Sequence, residues 1–213
     1  VRGVDSFYRL GGTIDDAPGE CFDKIASFLG LGYPGGPIIE LRSTKGNEER
    51  FNYPKPLLNN SFNMSFSGLK TAVKRETEKT IQNQGGLFPG DIDDICASFQ
   101  KTISEIFKLK SKNAIRFFNK THKKNNNFAV VGGVAANKKI RSELELLTVE
   151  NNFNFFTVPT AYCTDNAAMV AYLGFEKYFL SNLQTDDLTV RPRWPLDTLS
   201  KPILGSGKRG AKA

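Results

Sequence analysis

The side chains best placed to do chemistry sit beside glycine-rich turns. Asn137 closes the stretch Phe128-Ala-Val-Val-Gly-Gly-Val-Ala-Ala-Asn137, where a short apolar run leads into Gly132 and Gly133. An amide both donates and accepts, which suits a nucleobase edge or a ribose hydroxyl, and paired glycines let backbone approach a ligand closely. The same residue also reads as a plain helix cap. Asp23 lies on the polar side of an apolar helical pattern, as a solvated carboxylate or as an acceptor for ribose hydroxyls. Glu40 follows the second glycine cluster, Gly30-Leu-Gly-Tyr-Pro-Gly-Gly-Pro37, in what reads as the first turn of a short helix. Asp165 sits in Cys163-Thr-Asp-Asn166, where a carboxylate complements a helix dipole or serves as a metal ligand. Ser67 and Lys70 stand near another helix start, with capping by Ser67 set against phosphate contact.

These residues need elements to hold them. Cys21, Phe22, Ile25, Phe28 and Leu29 share one helical face, and Asp15 or Asp16 is expected to cap that helix. Pro37 suits a first helical position through its fixed φ. A polar loop follows, with one short strand expected in Phe51 to Pro56. The longest helix is expected over 91–119. Ile92, Ile95, Phe99, Ile103, Ile106, Ala114 and Phe117 form its apolar face, with Leu109 and Ile115 as exceptions. Lys108, Lys112, Arg116 and Lys120 form a cationic stripe, read as a solvated face in preference to an RNA phosphate track. Strands are expected at Phe128 to Val131 and Phe153 to Val158. A helix is expected from about Ala136, and another, capped by Thr164, up to Phe179. His122, the only histidine, reads as part of an exposed helix end.

The bulk properties bound the class. The chain has 213 residues, 39% hydrophobic content, a net charge of +7 and a pI near 9.3. That is enough for a sizeable core, and the basic balance suits a polyanionic partner as well as plain solubility. Cys21, Cys96 and Cys163 are widely spaced, which argues against a disulfide framework or a thiolate zinc site and for a reduced, cytoplasmic protein. No run of about 18 apolar residues occurs, so no membrane span is expected. The opening residues lack a signal-peptide pattern and read as the end of a strand, so an upstream part is expected.

Six stretches carry a resemblance. Thr13-Ile-Asp-Asp-Ala-Pro-Gly-Glu-Cys-Phe-Asp-Lys24, Leu29 to Pro37, Phe66-Ser-Gly-Leu-Lys-Thr71, Gly132 to Asn137, Cys163 to Asn166 and Arg191-Pro-Arg-Trp-Pro195 resemble, in order, the TsaD family of tRNA adenosine threonylcarbamoyltransferases, once called O-sialoglycoprotein endopeptidases. The likeness runs from about Tyr8 to Pro195. It implies an α/β fold of the ASKHA type, the actin/Hsp70/sugar-kinase architecture of two ribonuclease-H-like lobes. It implies transfer of threonylcarbamoyl from threonylcarbamoyl-AMP to N6 of the adenosine 3′ of the anticodon in tRNAs reading ANN codons. By the same resemblance, Asp23 and Gly36 hold the adenylate ribose region, Glu40 matches a ligand-binding glutamate, Asn137 binds the nucleoside, and Asp165 ligates an iron or zinc ion at the catalytic centre. The implied partners are tRNA, a TsaB-type paralogue, a TsaE-type ATPase and a TsaC-type synthase that supplies the donor.

The family's His-x-x-x-His motif and Ser-Gly-Gly-His loop are not in this sequence. The chain therefore reads as the C-terminal part of such a protein, with the N-terminal lobe largely missing. Residues 1–195 form that part, and 196–213 a basic Gly/Lys-rich tail expected to be disordered. A non-catalytic nucleotide- or partner-binding module is the alternative. A metalloendopeptidase rests only on the old family name, because no His-Glu-x-x-His occurs.

Overall fold

The computed structural model describes residues 1–57, 61–122, 126–180, 194–201, 203–204 and 211–212. Its organising element is α4 (Pro89–Thr121), a helix about 50 Å long at 1.5 Å per residue. Pro89 occupies its first turn, and the Asp91 carboxylate accepts from the Phe88 amide at 2.9 Å, so the start is fixed by sequence. Ile95, Phe99, Ile103 and Ile106 are fully buried. Ile115, an exception in the expected pattern, is buried too, whereas Ile92, Ala114 and Phe117 are half-buried. Lys110 is the polar intruder on this face: its Nζ donates to the carbonyls of Leu57 (2.5 Å) and Ser61 (2.7 Å), and burial pulls its pKa down.

Four further helices pack around α4 or on its neighbours. Helix α1 (Pro18–Phe28) brings Cys21, Phe22 and Ile25 into the core, with the Phe22 ring edge-on to Phe99 at 5.1 Å. Phe28, expected on that face, stays outside the core and is 39% exposed. Helix α2 (Gly35–Ser43) contributes Ile39, and α3 (Ser67–Gln84) contributes Leu69 and Val73. Helix α5 (Lys138–Glu150) contributes Ile140, Leu144 and Leu147. Strands β1 (Asn127–Val130) and β2 (Asn154–Thr157) pair in parallel, with α5 as the connection between them.

Several boundaries differ from the expectations, each for a local reason. Helix α2 starts two residues before Pro37, because the Asp23 carboxylate takes the Gly35 amide. No strand forms in 51–56; the Phe51 amide donates to the Ser98 hydroxyl instead. Ser67 is inside α3 and does not cap it. Asp15, expected to cap α1, accepts from the amides of Phe66 (2.7 Å) and Ser67 (3.3 Å) and from both the Ser65 and Ser67 hydroxyls. Lys70 is drawn to Asp16 at 3.3 Å, beside Lys24 at 2.9 Å. A 3₁₀ turn, Gly133–Ala136, delays α5 to Lys138.

Helix α6 (Ala167–Phe179) is capped by Asn166, whose Oδ1 accepts from the Met169 amide at 3.0 Å, and not by Thr164. It has no buried residue. Met169, Val170, Tyr172, Leu173, Phe175, Tyr178 and Phe179 are all exposed. Its ties include an ion pair from Lys177 to Asp5 (3.0 Å), and the same ammonium stands over the Trp194 ring. Arg191 and Arg193 lie outside the described residues, as do parts of the tail. The described stretch 196–201 folds back on the N-terminal segment: Asp197 accepts from the Arg9 amide at 2.7 Å and from the Ser200 hydroxyl, and these bonds hold its carboxyl well below the usual range. Strands β3 (Ile203–Leu204) and β4 (Ala211–Lys212) pair antiparallel.

Candidate functional site

Helix α1, the start of α2 and the glycine turn before α5 converge on one cavity of about 360 Å³. Asp23, Gly36, Glu40 and Asn137 all line it, with Gly133 and Thr164. Four of the residues singled out in the sequence thus share one space. The fifth, Asp165, is exposed and lies between Thr164 at the wall and Asn166 at the α6 cap.

Each residue is held by a specific contact. Asp23 Oδ1 accepts from the Gly35 amide at 2.8 Å, which satisfies a first-turn donor of α2 that Pro34 cannot cap. Its second oxygen has no such duty. Gly35 is required by packing: a Cβ there would come within 2.6 Å of the Phe22 carbonyl oxygen and 2.7 Å of the Ala26 Cβ. Gly36 is different, because a Cβ there would meet nothing within 4 Å. Its bare backbone faces the cavity. Gly132 has φ +89°, a conformation that favours glycine, and Gly133 beside it is equally open.

Glu40 Oε1 accepts from the Lys138 amide at 2.6 Å, so a carboxylate already sits at the positive end of α5. Asn137 is both a cap and a cavity wall. Its Oδ1 accepts from the Ile140 amide at 3.0 Å, and its Nδ2 donates to Gln100 Oε1 at 2.7 Å. A larger recess, about 460 Å³, opens across Glu40. Its Lys101 and Lys139 are paired with Glu49 and Glu48, which leaves little net attraction for an anion.

Two positioning residues escaped the sequence reading. Arg141 donates from Nε and Nη2 to the Ala135 carbonyl at 3.0 and 2.8 Å, and from Nη2 to the Val158 carbonyl at 3.3 Å. One guanidinium therefore ties the glycine turn to the segment that leads to Thr164. Gln100, on α4, is buried behind Asn137. Its only sequence signal is a polar side chain one turn after Cys96 and one turn before Ile103 on a buried face.

The donor set among the described residues does not fit a metal centre. Among the described residues no three His, Cys, Asp or Glu side chains converge. His122 is at the far end of α4, stacked on Phe118. Asp165 is a single ligand, and protein metal sites of the catalytic kind use three or more. No helix among the described residues is long and apolar enough to cross a membrane.

Comparison with known proteins gives a consistent result. The profile of the TsaD family, described as tRNA N6-adenosine threonylcarbamoyltransferase, matches residues 1–172. A protein of that name from Ruegeria sp. (strain TM1040) is 48% identical over 214 residues, covering all of this chain and 59% of that protein. Same-named proteins of Roseobacter denitrificans and Dinoroseobacter shibae are 47% and 48% identical, again with 59% of their length covered. The chain spans about three-fifths of the length of these relatives.

Proposed function

The chain belongs to the TsaD family, which has the ASKHA fold, and from that premise we propose that it is the nucleotide-binding portion of a tRNA threonylcarbamoyltransferase. The observation that supports this reading most is the convergence of Asp23, Gly36, Glu40 and Asn137 on one cavity whose glycine wall is open to a ligand. The free oxygen of Asp23 accepts hydrogen bonds from ribose hydroxyls. The remaining N–H and lone pair of Asn137 meet the nucleoside. Backbone at Gly36 and Gly133 lies close to the adenylate, where a side chain would block it.

The donor, threonylcarbamoyl-AMP, is a mixed carbamic–phosphoric anhydride. The adenosine N6 attacks the carbamoyl carbon, a C–N bond forms, the C–O bond to phosphate breaks, and AMP leaves with the electron pair while N6 loses a proton. The contribution of this chain is to hold the adenylate and to exclude water that would hydrolyse it. Asp165 would supply one carboxylate to an iron or zinc site whose other ligands lie outside this chain. The substrate tRNA, the TsaB-type and TsaE-type partners and the TsaC-type donor synthase belong to the same proposal.

A non-catalytic nucleotide-binding module is the second reading, favoured by the isolation of Asp165. The experiment that separates them is a threonylcarbamoyl-transfer assay on unmodified tRNA with donor, partners and metal. Transfer is expected only when the histidine-bearing lobe of a relative is added as a separate chain. AMP binding without transfer in that mixture selects the module; neither binding nor transfer refutes both.

A further inference from the structure

We propose that Gln100 is a positioning residue that sets the orientation of the Asn137 amide in the cavity; the proposal rests on the reading of that cavity as the nucleoside site. Gln100 is 5% exposed and both ends of its amide are hydrogen-bonded. Nε2 donates to Ser43 Oγ at 2.7 Å, and Oε1 accepts from Asn137 Nδ2 at 2.7 Å. The Ser43 hydroxyl donates to the Glu40 carbonyl at 2.7 Å. The Lys138 amide, next to Asn137, donates back to Glu40 Oε1 at 2.6 Å. The bonds close a ring that joins α2, α4 and the start of α5, and both Glu40 and Asn137 belong to it.

The direction of every bond in this ring is determined by its ends. The Glu40 carbonyl only accepts, so the Ser43 hydroxyl must donate to it and offer its oxygen to the Gln100 NH₂ group. Gln100 then presents Oε1 to Asn137, which must answer with Nδ2. At the other end the Ile140 amide only donates, so it requires Asn137 Oδ1. The two constraints agree. A flipped Asn137 would set oxygen against oxygen at Gln100 and N–H against N–H at Ile140. One N–H and one lone pair remain for a ligand, in a fixed order, which lets an amide discriminate between donor and acceptor edges. Buried polar chains of this kind stand or fall as a unit.

The ring also separates Gln100 from a merely structural core residue. Gln100→Met keeps the length of the side chain and removes both bonds. Gln100→Glu keeps an acceptor for Asn137 and removes only the donor to Ser43. Asn137→Ser keeps an oxygen to cap α5 but removes the amide. The experiment follows AMP binding by calorimetry, and the Asn137 side-chain NH₂ pair by ¹⁵N–¹H NMR, in the 213-residue chain.

Gln100→Met is expected to weaken AMP about tenfold and to expose the Asn137 NH₂ pair to rapid exchange. Gln100→Glu is expected to stay within about threefold of the parent and to keep that pair protected. Gln100→Met added to Asn137→Ser is expected to cost no more than about twofold further, because the two act through one group. Additive losses in the double variant, or an Asn137 NH₂ pair unchanged in Gln100→Met, would overturn the proposal. Should Gln100→Met not fold, loss of protection in Gln100→Glu has the same force. A parent chain that takes up no AMP refutes the nucleotide reading, while the exchange of the Asn137 pair still decides whether Gln100 orients it.

Discussion

Asp23 has two duties that one substitution can separate. Its Oδ1 holds the Gly35 amide at 2.8 Å, and its other oxygen is the one assigned to ribose hydroxyls in the proposed reading. Asp23→Ala removes both. The lost bond is charge-assisted and sits at a helix start, where such bonds contribute about 1.5–3 kcal/mol and caps about 1 kcal/mol. Asp23 is only partly buried, so solvent screening brings the cost to about 1–2 kcal/mol. For a chain of this size that lowers the melting temperature by roughly 2–8 °C.

Asp23→Asn keeps an oxygen for Gly35, so the stability loss is about 0.5 kcal/mol or less. The other position of the amide is then an NH₂ group, a neutral donor where the ribose hydroxyls meet a charged acceptor. Charge-assisted hydrogen bonds are roughly twice as strong as neutral ones, so AMP affinity falls about tenfold or more. Thermal melts and AMP titrations of the parent and both variants test this together. The reasoning fails if the two variants are equally unstable, or if Asp23→Asn binds AMP as the parent does.

Two other substitutions test the cavity and the scaffold. Gly36→Val is expected to fold, since a Cβ there meets nothing within 4 Å, and to lose AMP binding by more than about tenfold. Gly35→Ala, whose Cβ would strike the Phe22 carbonyl, is expected to be the destabilised member of the pair in a denaturant melt. Asp15 tests the pH dependence. Burial pushes its pKa up, but hydrogen bonds from Phe66, Ser65 and Ser67 outweigh that and leave it below the usual carboxylate value. A lowered folded pKa means that the stabilisation is complete above the unfolded pKa of about 3.9 and is lost as pH falls through the folded value. The stability gap between the parent and Asp15→Asn should therefore be constant above about pH 5 and close below it; a gap that ignores pH would refute the role.

Much of the architecture follows from periodic patterns. The burial of Phe22 and Ile25, and of Ile95, Phe99, Ile103 and Ile106, follows directly from helical spacing. The two strands and the glycine turn between β1 and α5 are equally local signals. The cavity residues were legible through motifs, because Asp23, Gly36, Glu40 and Asn137 each stand in a distinctive stretch.

What stayed hidden is long-range. Asp15 caps a helix that begins 52 residues later, at Ser67. Gln100 reaches Ser43 across 57 positions and Asn137 across 37. Such contacts have no period and leave no trace in composition. Asp23 shows the same limit: reading it as solvated or as ribose-binding omitted the nearby amide that fixes its position.

Helix α6 brings a different kind of consequence. It contributes no side chain to the core and its large apolar side chains are already 48–67% exposed, so its opening uncovers far less apolar surface than that of a core helix. The free energy of that opening is then set by backbone hydrogen bonds, the Asn166 cap and the Lys177–Asp5 pair, and is far smaller than that of α4. Amide exchange along the chain should accordingly divide at about residue 166. Protons of α4 and α5 exchange by global unfolding, and those of α6 by local fraying, so in stability this chain is two bodies of unequal strength. Any surface that covers the α6 side chains would move the helix from the second class to the first.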